Sequence, residues 1–383
     1  MTEPAFSSRR PGRKLAWGIA LGVGAVVLRE LVRPREEQAR FIDWDQVEAN
    51  ALRFCGEDRD PVITPEQRQA YESAARDLTP VLEQSLGRGS AATGSSFYPA
   101  LTPVGRRQWV RFNVRIFRQL FRPIENLERM IPGSLLLTIG RNTLTRYLGM
   151  MLGVLARRVL GQYDPALLLA EGPPRFEAGA EGNANSLILV EPNVQAWAAR
   201  DKLPLDELRR WLAMHEMAHA WEFRAHPWLQ PYMEELLKQV LVGRFSDGCR
   251  PNNWELLRTL TVGMGAQWKA ISKIQAAMTL LEGFGNLVMD DVGKQALPHF
   301  ALLERAYRRR QAERTPLERA FLKMTGLDMK MRQYVMGERF CREVREVGGS
   351  ELLNRVWTGP DWLPTMAEIQ RPSLWIERAR RAA

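Results

Sequence analysis

Cysteine and histidine are both scarce in this chain of 383 residues. The three cysteines, Cys55, Cys249 and Cys341, are far apart and odd in number. That excludes a disulfide framework, and it excludes a metal site built on paired cysteine spacing. The thiols read as reduced, in a cytosolic setting. A long apolar run is also missing near the amino terminus. Leu15–Leu28 is apolar for only 14 residues, against about 20 for a membrane-spanning helix. No stretch interleaves basic and aromatic residues, and no nucleic-acid module is recognisable. The net charge of +10 therefore reads as a basic solvated surface, and nucleic acid is not an expected partner. The Gly/Ser-rich stretch Gly87–Ser96 follows no strand and carries no phosphate-loop lysine, which excludes a nucleotide cradle.

What is present is concentrated. Of the four histidines, two fall in the run Met214–Phe223, M-H-E-M-A-H-A-W-E-F. His215 and His219 are four apart, so on a helix they share one face, a turn apart. Two imidazoles so placed can bind one Zn²⁺, and Glu216 between them can reach a water in the open position of the metal. Pro204, Asp206 and Glu207 suit a helix start. From there Leu208, Trp211, Leu212, His215, Ala218, His219 and Glu222 recur at helical spacing. The histidines thus continue an apolar stripe and face inward. Their pairing with a glutamate in register favours a metal site over two hydrogen-bonded core histidines.

A catalytic zinc site needs a third protein ligand and leaves a fourth position for water. Glu282 is the candidate. It lies at the edge of the apolar face of a second expected helix, Ile271–Val292, where a carboxylate is costly unless paired or on a metal. Gly283 and Gly285 beside it point to the close approach of another helix, since each costs about 1 kcal/mol in a helix against Ala. Asn286, one turn on, is placed to orient a ligating histidine. His226 and His299 read as structural: a ligand at His226 would need a sharp glycine turn after His219, and none is there.

Three blocks resemble one bacterial family of zincin-like proteins, usually called zinc-dependent metalloproteases. Some members carry the label "deazaflavin coenzyme biosynthesis-associated". The blocks are Leu187–Asn193 with His215–Leu229, then Gln275–Gly293, then Leu327–Trp357. The resemblance runs from about Trp44 to Ile369. It implies a zincin fold, one Zn²⁺ per chain on His215, His219 and Glu282, and Glu216 as the base. Positions 284 and 286, often polar or acidic in that family, hold Phe284 and Asn286 here. Nothing in these residues speaks for the coenzyme label.

The rest of the chain reads as mostly helical. Helical patterns cover Phe41–Gly87, Arg107–Leu127 and Ser134–Gly161, with helical or mixed character over Asn252–Ile271 and a last long helix over Leu327–Val347. Ser186–Glu191 is the best strand candidate, and it serves either as a small structural strand or as a strand that pairs with an extended substrate. Tyr334, or Arg339 by its charge, is a candidate to hold an oxyanion. Trp357–Pro364 is expected to cover part of the core. Residues 1–40 form a separate basic and apolar segment, read as a packed helix, a membrane-associating helix or an uncleaved anchor. The expectation is a mainly α, zincin-like metallopeptidase domain over residues 41–383, either undivided or in two lobes meeting at the zinc. It would hydrolyse a peptide or protein substrate in the cytoplasm. The alternatives are a zinc-binding scaffold without activity that acts through partners, and a protein anchored to a membrane through residues 1–40.

Overall fold

The computed structural model describes residues 42–56, 58–86, 100–130, 135–163, 187–242, 253–312 and 330–382. The amino-terminal segment, the Gly87–Ser96 stretch up to Ser96, and Cys249 lie outside the described residues. Among the described residues no helix is long and apolar enough to cross a membrane.

The chain is mainly helical around one small sheet. Helix α1 (Trp44–Phe54) is opened by Asp43, whose side chain accepts the Gln46 amide at 3.0 Å. Helix α2 (Pro65–Leu86) starts on a reciprocal cap: Thr64 Oγ1 accepts the Gln67 amide at 3.3 Å, and Gln67 Oε1 accepts the Thr64 amide at 2.8 Å. These side chains satisfy amides that have no partner within the first turn. Strand β1 (Leu101–Val104) leads into helices α3 (Arg106–Met130) and α4 (Leu135–Ala156), then strands β2 (Gly161–Tyr163) and β3 (Leu187–Val190). Helices α5 (Glu191–Asp201), α6 (Leu205–Ala225), α7 (Leu229–Val242), α8 (Asn253–Ala296), α9 (Phe300–Ala312) and α10 (Lys330–Asn354) follow. Two 3₁₀ turns, Arg355–Trp357 and Pro360–Trp362, connect to α11 (Met366–Gln370) and α12 (Pro372–Arg381).

Strand β3 is the central strand. It pairs parallel with β1, Leu101 opposite Leu187, and antiparallel with β2, Gly161 opposite Leu189. Its four residues are fully buried, with alternate side chains pointing to opposite faces. Leu187 and Leu189 join one apolar cluster with residues of α2, α5, α6, α8, α9 and α10. Ile188 and Val190 join a second with α1, α3 and α4. Burial of each such side chain contributes about 1.5–3 kcal/mol. A strand covered on both faces reads as an unbroken apolar run, which is why L-I-L-V stands out in the sequence.

With both edges paired, β3 has no free edge for a substrate. Of the two readings open for this strand, the structural one holds, and pairing with an extended substrate does not. The two expected segments Asn252–Ile271 and Ile271–Val292 form one 44-residue helix, α8. Helix α10 runs past the expected end at Val347, with a break at Gly348 and Gly349, the latter at φ 68°. Trp357 is buried against Trp221, Phe284 and His226, so the segment after α10 does cover core.

Candidate metal centre

Helix α6 carries the paired histidines. Pro204 occupies its N-cap, and Asp206 and Glu207 stand in its first turn, where carboxylates meet the positive end of the helix dipole. Arg209 in the next turn forms a buried ion pair with Glu191 at the start of α5. Glu191 also accepts the Tyr71 hydroxyl at 2.6 Å and the Gln195 amide at 2.9 Å. The base of α6 is thus tied to the sheet by charge as well as by apolar packing.

Further along, His215 and His219 meet edge to face, with ring centroids 4.7 Å apart and planes at 80°. Trp211 stacks parallel to His215 at 6.0 Å, and Tyr307 of α9 packs on Trp211 at 4.8 Å. Helix α8 crosses α6 here and brings in Glu282. Its Oε2 lies 3.7 Å from His219 Nε2 and 4.0 Å from His215 Nε2. One donor atom from each of the three residues falls within 4.8 Å of the others, a group able to hold a metal ion. Glycines permit the crossing. A methyl group at Gly285 would stand 3.3 Å from His219 Cε1. At Gly283 it would stand 2.6 Å from the Glu338 amide and closer still to Gly337, so α8 and α10 touch backbone to backbone.

The donor set suits zinc. Two imidazole nitrogens and one carboxylate oxygen are ligands Zn²⁺ accepts, at bond lengths near 2.0–2.2 Å. Tetrahedral bonds of that length place donors about 3.3–3.6 Å apart, so separations of 3.7 and 4.0 Å need only a small inward shift. Burial pushes the His215 imidazole down to about 4, helped by the charge on His219, which leaves a lone pair to donate. The pairing expected from the motif and from the apolar face of α8 is therefore brought together in space.

Around the donors the sequence reading needs additions. The carboxylate that touches a candidate ligand ring is Glu222: its Oε2 lies 2.9 Å from His219 Nδ1. Glu222 is fully buried, and its Oε1 has no hydrogen-bond partner among the described residues. Burial raises its pKa to about 7, with His219 pulling the other way. Burial opposes charge on His219 too, yet Glu222 and Glu282 beside it hold its pKa well above the ordinary value. Asn286, expected in this orienting role, sits half-buried on α8. Spacing could have found Glu222, a carboxylate in the apolar stripe three residues after His219. Glu216 is buried at 6% exposure, and its carboxylate lies against Gly161 of β2. Tyr334 falls in the first turns of α10, and its side chain lies outside the described residues. Arg339 is exposed and donates to the Gln370 carbonyl at 2.7 Å. His226 lies 2.7 Å from the Glu222 carbonyl through Nδ1 and stacks on Trp357. His299 binds Glu207 through both its amide and its ring.

A solved structure from Chloroflexus aurantiacus, described as a candidate hydrolase with a novel fold, is 33% identical. It aligns over 89% of this chain and 99% of that one, with a TM-score of 0.66. No curated protein sequence matches the chain at a significant level. Residues 42–376 match the model of a zincin-like metallopeptidase family. A match that takes in both crossed helices and all three strands leaves one conclusion: the chain belongs to the zincin-like metallopeptidase family.

Proposed function

We propose that the protein is a zinc-dependent metallopeptidase that hydrolyses peptide bonds in a peptide or protein substrate. The observation that carries this reading is the convergence of His215, His219 and Glu282 from two crossed helices, with a buried glutamate, Glu216, next to the first histidine. Family membership supports a hydrolase of the metallopeptidase type. His215 Nε2, His219 Nε2 and the Glu282 carboxylate would hold one Zn²⁺. When bound, the ion would supply a Lewis acid that polarises the scissile carbonyl and lowers the pKa of water from about 15.7 towards about 7.

The remaining work falls to the chain. Glu216 takes a proton from the attacking water and delivers it to the leaving amine. Glu222 accepts the Nδ1 proton of His219, which leaves Nε2 as the donor and sets the ring plane. Trp211 packs flat on His215 and limits its rotation. The three donors are mostly buried, with side-chain exposures of 12%, 13% and 19%, so charges there act more strongly than in water.

The test is a comparison of wild type with Glu216→Gln, each dialysed and assayed for metal by plasma mass spectrometry and for cleavage of a fluorogenic peptide library. About one zinc per chain is expected in both. Cleavage should fall by about 10²–10⁴ in the variant, the contribution of a positioned general base. A zinc-loaded wild type that cleaves no peptide would sink the peptidase reading and leave a zinc-binding scaffold.

A further inference from the structure

We propose that strand β2 sets the position of the Glu216 carboxylate: Gly161 is a positioning residue whose missing side chain is the space Glu216 occupies, and Gln162 is the clamp that holds the strand there. The inference rests on the reading of Glu216 as the general base and adds how that base is aimed.

The geometry has two sides. On the α6 side, a methyl group built on Gly161 would lie 2.7 Å from the Glu216 carboxyl carbon and 2.9 Å from its Cγ, and closer still to Oε1. Its three nearest neighbours are all atoms of that one side chain. Contacts under 3.0 Å are not sustained, so something must move, and the free end of Glu216 moves more cheaply than backbone. On the opposite side, Gln162 points towards α3, as strand alternation requires. Its Oε1 accepts the Trp109 indole N–H at 2.6 Å and Asn113 Nδ2 at 3.3 Å, and its Nε2 donates to Asn113 Oδ1 at 3.1 Å. Asn113 is itself buried and donates to the Trp109 carbonyl.

This arrangement answers a weakness of β2. A strand of three residues has few ladder bonds to hold its register. A slip of one residue would turn the Gln162 side chain towards Glu216 and drive the carboxylate off its position. The Gln162 network forbids that slip, because Gln162 finds its partners only from the α3 side. The base is thereby held between its own helix and a strand that carries no reacting group. A carboxylate misplaced by about 1 Å costs about a hundredfold in rate even when every other group stays in place.

The experiment uses full-length protein with two variants, Gly161→Ala and Gln162→Met; the second removes the clamp's hydrogen bonds while keeping its length. Four quantities are read: zinc per chain, kcat and KM on the fluorogenic peptide library, and the affinity of the cobalt-substituted protein for acetohydroxamate, followed by visible absorption. Acetohydroxamate is small enough to meet only the metal and the base. Gly161→Ala should keep its zinc and its KM, lose about a hundredfold in kcat, and bind acetohydroxamate about tenfold more weakly, as the loss of one charge-assisted hydrogen bond predicts. Gln162→Met should move the same way by less. In a Glu216→Gln background, Gly161→Ala should change neither quantity further, since both act through one carboxylate. Loss of zinc, a rise in KM at constant kcat, or an undiminished effect of Gly161→Ala in the Glu216→Gln background would each overturn the proposal. If the wild type cleaves nothing, the peptidase reading fails while the acetohydroxamate cycle still decides the positioning of Glu216.

Discussion

Glu222 offers the sharpest test of how the candidate metal centre is held. Its contact with His219 Nδ1 is 2.9 Å long, and Glu222 itself is fully buried. A hydrogen bond to a charged group contributes about 1.5–3 kcal/mol, which at 1.4 kcal/mol per decade is about ten- to a hundredfold in zinc affinity. Outer partners of zinc ligands cost the same range when removed. Glu222→Gln keeps the shape and an acceptor oxygen but loses the charge, so it should weaken zinc about tenfold. Glu222→Leu removes both and should approach a hundredfold. The assay is competition for zinc against a chromophoric chelator at neutral pH. A second readout separates orientation from general damage. Removing one partner of a buried pair is costly, so Glu222→Leu should also lower metal-free stability, whereas Glu222→Gln, whose side-chain oxygen still accepts from His219 Nδ1, should leave it close to wild type. For Glu222→Gln, affinity would fall while metal-free thermal stability would not. If Glu222→Leu binds zinc within about twofold of wild type, the reasoning fails.

Two other predictions concern the frame. Arg209→Met strands Glu191 in a buried site, where the pair's exposure is 9% and 2%. Breaking a buried pair costs about 3–5 kcal/mol, read as a lower guanidinium midpoint, and Glu191→Leu in the same chain should recover most of it. Glu368 has a lowered pKa: burial pushes it up, but Arg378 and the amide and hydroxyl of Thr365 pull it further down. A carboxyl lowered in the fold stabilises at neutral pH, and that contribution drains away as pH falls below the ordinary 4.5 towards its own lower value. Acid should therefore loosen α11 and α12, and Glu368→Gln should flatten the dependence; hydrogen exchange of those helices at neutral pH and about pH 4 measures it.

The parts of this molecule that the sequence reveals are those with a period or a spacing. His215, Glu216 and His219 are three positions of one helix, the histidines four apart. Glu282 stands out because a carboxylate at the edge of an apolar face needs a reason. Strand β3 shows as a doubly buried run. Strands β1 and β2 do not, since four residues with a proline and three with a glycine are too short to set up alternation. Helix α8 reads as two pieces meeting at Ile271, with Gly283 and Gly285 inside the second; in space Gly283 lies against the backbone of α10 and Gly285 against the His219 ring. The pairs Arg209–Glu191 and Trp109–Gln162 join residues far apart in the chain, and no local pattern carries that information. Glu222 lay in plain view in the stripe, but its role follows only once its burial is known.

The contact between Gly283 and Gly337 reaches further than packing. Successive residues of a helix are turned by about 100°, so the bearing of Glu282 is a matter of how far α8 is rolled about its own axis. With backbone seated on backbone one position away from that carboxylate, the roll angle is locked. A neighbouring helix that contributes no donor atom thus decides where the third donor points. The centre is aimed before any ion arrives, and an ion that prefers another bearing would have to turn a 44-residue rod to obtain it.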